Sequence, residues 1–228
     1  MEQLTSFVER FAEARGGKLL SAEQSETHLY LRALLRQRSE VASGDELAAG
    51  IALRAEGPTA TLCAFSLRLA CANGMISTQL APAETLQLDP WDEDRIEEAL
   101  GAAAAASLGA TARQAALFGQ LLQPVTEVML RRAWARLELQ LRLRAAGPRS
   151  LSNARLRAEW MRAAAQEGSL FGMVNALTAS ARETRDPARR WQLEQAGEEF
   201  LLFCVDLLSG REPALPAEAL EAECVTVI

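Results

Sequence analysis

The sequence is poor in the side chains that most often carry chemistry. It has a single histidine, His28, and four cysteines, Cys63, Cys71, Cys204 and Cys224, in 228 residues. No two cysteines form a CxxC pair, and no histidine stands at ligand spacing from one, so zinc-type sites are excluded. A Ser/His/Asp triad would have to use His28, and no GxSxG elbow accompanies it. No lysine follows the glycines Gly101 to Gly109, which excludes a phosphate-binding P-loop. Aromatic residues make up only 5%. No uninterrupted apolar run reaches bilayer length. The first residues, with Glu2 and Glu9, lack the basic start and apolar core of a secretory signal. The expected location is therefore the cytoplasm, without a membrane. Cys63 and Cys71, if on one straight strand, would lie about 26 Å apart at roughly 3.3 Å per residue, too far to pair.

What is present is a globular composition: 49% hydrophobic and 24% charged residues, with net charge −6. Leu4, Phe7, Val8 and Phe11 form a helical stripe, stopped by Gly16 and Gly17. The period then changes to two. His28 to Leu35, Ile51 to Ala55 and Thr61 to Cys71 alternate, with Gly57-Pro58 as a turn between the last two, which predicts a small antiparallel sheet. The Leu- and Arg-rich first run also fits a helix. From Asp89 onward the pattern is helical, with Asp89 as cap and Pro90 at the first position. The alanine run Ala102 to Ala106 fits a helix end or a close helix contact. Further helices fit Val125 to Ala146 (Val128, Leu130, Ala133, Trp134, Leu137, Leu141 and Ala145 as its apolar positions), Leu151 to Gln166, Leu170 to Thr184 and Pro187 to Leu208. The fold class expected is α+β: a small antiparallel sheet in the N-terminal half followed by a mainly helical C-terminal half. The parts are 1–82 with the sheet, 83–210 helical and packed on it, and a tail 211–228 whose end, Val225 to Ile228, fits an edge strand.

Two short motifs stand out. Arg68, Cys71, Asn73 and Gly74 close the third strand run, and Asn-Gly there reads as a turn, since both residues tolerate positive φ. Arg68 can pair with a carboxylate or reach a phosphate. In the helix Leu170 to Thr184, Gly172 to Thr178 places Asn175 and Thr178 on one face, able to bond a neighbouring backbone. Asp186-Pro187, Arg190, Leu193-Glu194 and Ala196-Gly197 follow. In this order the two motifs resemble domain-of-unknown-function family 932, the phage/plasmid-like protein family, over roughly residues 25 to 205. The resemblance implies residence on a mobile genetic element, no cofactor and no established reaction.

Charge is the last signal. Asp89, Asp92, Glu93, Asp94, Glu97 and Glu98 crowd a helix start, which fans them around the axis instead of converging them on a metal; capping explains them. No metal site and no catalytic residue is assigned, and metal-dependent cleavage is a remote third reading. Between residues 113 and 162, ten arginines face only Glu127, Glu138 and Glu159. Arg131, Arg132, Arg136, Arg142, Arg149, Arg155 and Arg157 are the candidates for binding DNA or RNA, because a planar guanidinium suits phosphate. Trp134 and Trp160 can stack on bases, although Trp134 also falls among core positions. The competing reading pairs these arginines with the acidic segments 84–98 and 194–223. The function expected is a non-enzymatic accessory protein of a mobile element that binds nucleic acid. The alternative is a protein-interaction or self-assembling subunit.

Overall fold

A computed structural model describes residues 2–25, 27–143 and 169–211, with side chains of 138–143 left aside. Helix α1 (Glu2–Ala14) leads into strands β1 (Lys18–Gln24), β2 (His28–Ala42), β3 (Asp45–Glu56), β4 (Thr59–Arg68), β5 (Asn73–Ser77) and β6 (Glu84–Gln87). Helices α2 (Glu93–Leu121), α3 (Glu127–Leu143), α4 (Leu170–Glu183) and α5 (Pro187–Leu208) follow. The class is α+β. The six strands form one antiparallel sheet in the order β1-β2-β3-β4-β5, and β6 also pairs with β4. The sheet thus continues past residue 82. Among the described residues, no helix is long and apolar enough to cross a membrane.

Both faces of the sheet are covered. Leu29, Leu31, Ile51, Leu53 and Leu62 point to one side, where Phe7, Val8 and Phe11 of α1 and Ile96, Leu100 and Ala103 of α2 complete a core. Burying each large apolar side chain is worth roughly 1.5–3 kcal/mol. Tyr30, Leu34, Ala52, Cys63 and Phe65 point to the other side, against Trp191 of α5. A third apolar cluster ties α2 to α3, α4 and α5 through Phe118, Leu137, Phe171 and Phe200.

The differences from sequence expectation have local causes. The first alternating run is a strand; its helical alternative does not occur. It has a partner that sequence did not suggest, β1, whose Ser, Glu and Gln break alternation. The third run is not continuous to Cys71. β4 ends at Arg68, residues 69–72 turn, and Ala72 carries the positive φ of +54° that was expected at Asn73-Gly74. Asn73 and Gly74 instead begin β5, pairing with Arg68 and Leu67. Glycine is required there for closeness: a Cβ on Gly74 would stand 2.7 Å from the Phe65 ring and 3.0 Å from Glu194 Oε1. The α2 cap is Asp92, not Asp89; its Oδ1 accepts from the Arg95 amide at 3.1 Å, and the Asp89–Pro90 peptide is cis. The alanine run is mid-helix, and its contact is with the sheet. Ser107, one residue beyond it, accepts from Gly50 N and donates to Phe65 O, both at 3.1 Å. The expected helix over 151–166 and the edge strand over 225–228 lie outside the described residues.

Candidate functional site

The two motifs, a hundred residues apart in sequence, meet in space. Register places Arg68 opposite Asn73 across β4 and β5, so both side chains emerge on one face beside α4. Arg68 Nε donates to Asp45 Oδ1 at 2.8 Å and Oδ2 at 3.0 Å, and its Nη1 donates to Asn175 Oδ1 at 2.8 Å. The guanidinium lies 4.4 Å from the Phe171 ring centroid. Asn73 Nδ2 donates to the same Asn175 Oδ1 at 2.8 Å and to the Asn175 carbonyl at 3.3 Å. The Cys71 thiol reaches Asn175 Oδ1 at 3.5 Å, and Arg182 donates to the Cys71 carbonyl. Asn175 is therefore a three-way acceptor that gathers a strand end, a turn and the next strand onto one helix. Thr178 bonds back to its own helix, donating to Val174 O at 3.2 Å and Asn175 O at 3.0 Å. Asp45 is thus the carboxylate partner that the sequence allowed for Arg68.

The second motif also supplies buried acids. Glu194 accepts from Arg32 Nε and Nη2 at 2.9 and 2.8 Å and from Arg190 Nε at 3.2 Å. Glu23 closes the group, accepting from Arg190 Nη1 at 3.0 Å and standing 3.5 Å from Arg32 Nη1. Two cations and two anions balance, which is what a buried ionic group requires. One turn on, Glu198 accepts from the amides of Thr78, Gln79 and Leu80 at 2.6, 2.8 and 3.2 Å. Sequence reasoning missed this arrangement. The signal available was a stripe of Trp191, Glu194, Glu198 and Leu201 at helical spacing, with two carboxylates between apolar residues.

The arginine candidates distribute differently. Arg131 and Arg132 are exposed on α3, and Arg131 pairs with Glu127 at 2.6 Å, both side chains about three-quarters exposed. Arg136 is half-buried along α5, its guanidinium 5.5 Å from the Phe203 centroid, and burial lowers its pKa from the usual arginine value. Ala133 and Leu137 seat α3 on the helical core, with Trp134 half-buried beside them. Val128, expected inside, is 60% exposed. Arg142 lies within α3 but its side chain is outside the described set, and Arg149, Arg155, Arg157 and Trp160 lie outside the described residues. Arg113, also exposed, donates to the Leu80 carbonyl. Of the acids expected to neutralise these arginines, Glu194 and Glu198 face into the body instead.

The remaining candidates are quiet. His28 bonds to Thr27 Oγ1 at 2.6 Å and to Glu56 Oε2 at 3.0 Å and stacks on Tyr30. Among the described residues no group of three or more His, Cys, Asp or Glu is placed to hold a metal ion. Burial pushes the Cys63 thiol up to about 11 and raises that of Cys204. The chain matches no family model, no curated protein and no solved structure.

Proposed function

We propose that the chain is a non-enzymatic accessory protein of a mobile genetic element, of the phage/plasmid-like kind its two motifs resemble, and that it binds nucleic acid through the outer face of α3. The observation that carries this reading is the separation of charges: the carboxylates of Glu194 and Glu198 are committed inside the body, while Arg131 and Arg132 stand on its surface. Arg131 and Glu127 form a surface pair, worth about 0–1 kcal/mol, with which a phosphate competes easily. Ala133 and Leu137 fix the helix by its inner stripe, so the arginines turn outward without loss of packing. Arg68, Cys71 and Asn73 all donate to Asn175 Oδ1, which favours a structural role for the motif over catalysis.

The test is fluorescence anisotropy with labelled single- and double-stranded DNA and RNA. Binding is expected at low salt and should weaken steeply and log-linearly as salt rises; absence of binding at about 50 mM salt would falsify the proposal. An Arg131→Glu/Arg132→Glu variant should lose affinity while keeping its thermal melt.

A second reading, a protein-interaction or self-associating subunit, draws on Val128 and Leu122, exposed 60% and 42% at the connection between α2 and α3. A monomeric mass by light scattering, together with no captured partner, would remove it.

A further inference from the structure

Asn73 is 4% exposed, and its amide orientation is settled by the two bonds that Nδ2 donates to Asn175. Turning the amide over would replace both donors with an acceptor facing acceptors. Its Oδ1 is consequently fixed as well, and that atom has no protein partner. A buried acceptor left without a donor costs about 1–3 kcal/mol. Beside it lies a cavity of about 10 Å³ whose polar lining is Ser66, Arg68, Asn73, Asn175 and Thr178 and whose remaining walls are apolar. That is about the space the centre of one water molecule needs, and a buried water is stable where two to four polar partners surround it.

We propose that this cavity is a binding site for a single ordered water, held between the two motifs. Asn73 Oδ1 accepts one of its protons. The other proton has two acceptors available. Thr178 Oγ1 spends its own proton on its helix and Ser66 Oγ spends its proton on Gln114 Oε1 at 2.5 Å, so each keeps lone pairs free. Asn175 uses its Oδ1 on Arg68, Cys71 and Asn73, so the donors suited to the water oxygen are its Nδ2 and the Arg68 guanidinium, which lines the same cavity. Larger ligands do not fit. The motif is then a clasp between β4, β5 and α4 whose last hydrogen bonds are completed by solvent.

The experiment is a crystal structure of the full chain at a resolution that orders internal solvent. The expected result is one isolated density peak within hydrogen-bond distance of Asn73 Oδ1 and of Thr178 Oγ1 or Ser66 Oγ. An empty cavity, a bound molecule larger than water, or Asn73 Oδ1 bonded to a protein donor overturns the proposal. Each of these outcomes leaves nucleic-acid binding by α3 untouched.

Discussion

Arg32 and Glu194 lie 162 residues apart in sequence and form an ion pair in which Arg32 is 0% exposed. Arg32 sits in β2, one strand in from the β1 edge, and Glu194 two turns into α5, so the pair joins the sheet to the last described helix. Its desolvation is offset by three contributions: two hydrogen bonds to one oxygen, Arg190 on the other oxygen, and Glu23 beside both arginines. A network of this kind is costly to break from one side, because the surviving charge stays buried.

Replacing Glu194 by Leu should therefore lower stability by about 3–5 kcal/mol, since it leaves two arginines with Glu23 alone. An Arg32→Met/Glu194→Leu double variant should recover most of that loss. Urea unfolding of the four species measures the coupling. Strictly additive single effects would show that the pair contributes nothing specific.

Glu198 is a different case, a carboxylate bonded to three backbone amides. In Glu198→Gln one oxygen becomes a donor facing donors, and the expected cost is about 1–3 kcal/mol. Amide hydrogen exchange at Thr78, Gln79 and Leu80 should accelerate more than elsewhere in the sheet. Uniform acceleration would mean that the effect is global unfolding only.

Two glycines should respond oppositely to alanine. A Cβ on Gly17 would stand 1.9 Å from the Leu34 carbonyl oxygen, so Gly17→Ala must push β1 off β2, at a cost of about 1–3 kcal/mol by the measure of overpacked sites. At Gly101, inside α2, a Cβ meets nothing within 4 Å, and Gly101→Ala should stabilise by about 0.8–1.0 kcal/mol through helix propensity. Thermal melts of the two variants, run side by side, check both signs.

Thiol labelling reads burial directly. Cys63 and Cys204 are buried with raised pKa values, so at pH 8 each is almost wholly the unreactive thiol; Cys71 is half-exposed. Alkylation of native protein followed by peptide mass mapping should modify Cys71 and spare Cys63 and Cys204. All three should react in denaturant. Modification of Cys63 in the native state at the rate of Cys71 would contradict the packing of the sheet against α5.

Much of the helical half was legible because its signals are local. Asp186, which caps the Ala188 amide at 3.0 Å, and Pro187 in the first turn mark the start of α5, and the end of its apolar pattern marks Leu208. The α1 stripe and the Gly16 stop, at φ +68°, were equally plain. The sheet was legible only where both faces alternate cleanly. β1 is an edge strand with a register shift between Leu19 and Ser21, and such strands carry little period-two pattern. Asn73-Gly74 misled for a physical reason: the residue pair that suits a tight turn also suits a place where a strand must pass close to a ring and a carboxylate. The site was half visible. Arg68, Cys71, Asn73 and Asn175 were singled out, but their convergence depends on how α4 docks against β5, which no window of sequence encodes. The burial of Arg32 was not legible, because its partner Glu194 comes from the far end of the chain.

That long span has a bearing on how the protein is made. While the ribosome is still translating the helical half, the N-terminal sheet carries Arg32 on one face with no glutamate of α5 yet emerged to meet it. That face of the sheet is closed only when α5 packs against it. Completion of the core on that face therefore waits for α5, an element far along the chain, and not for the neighbours of Arg32 in sequence.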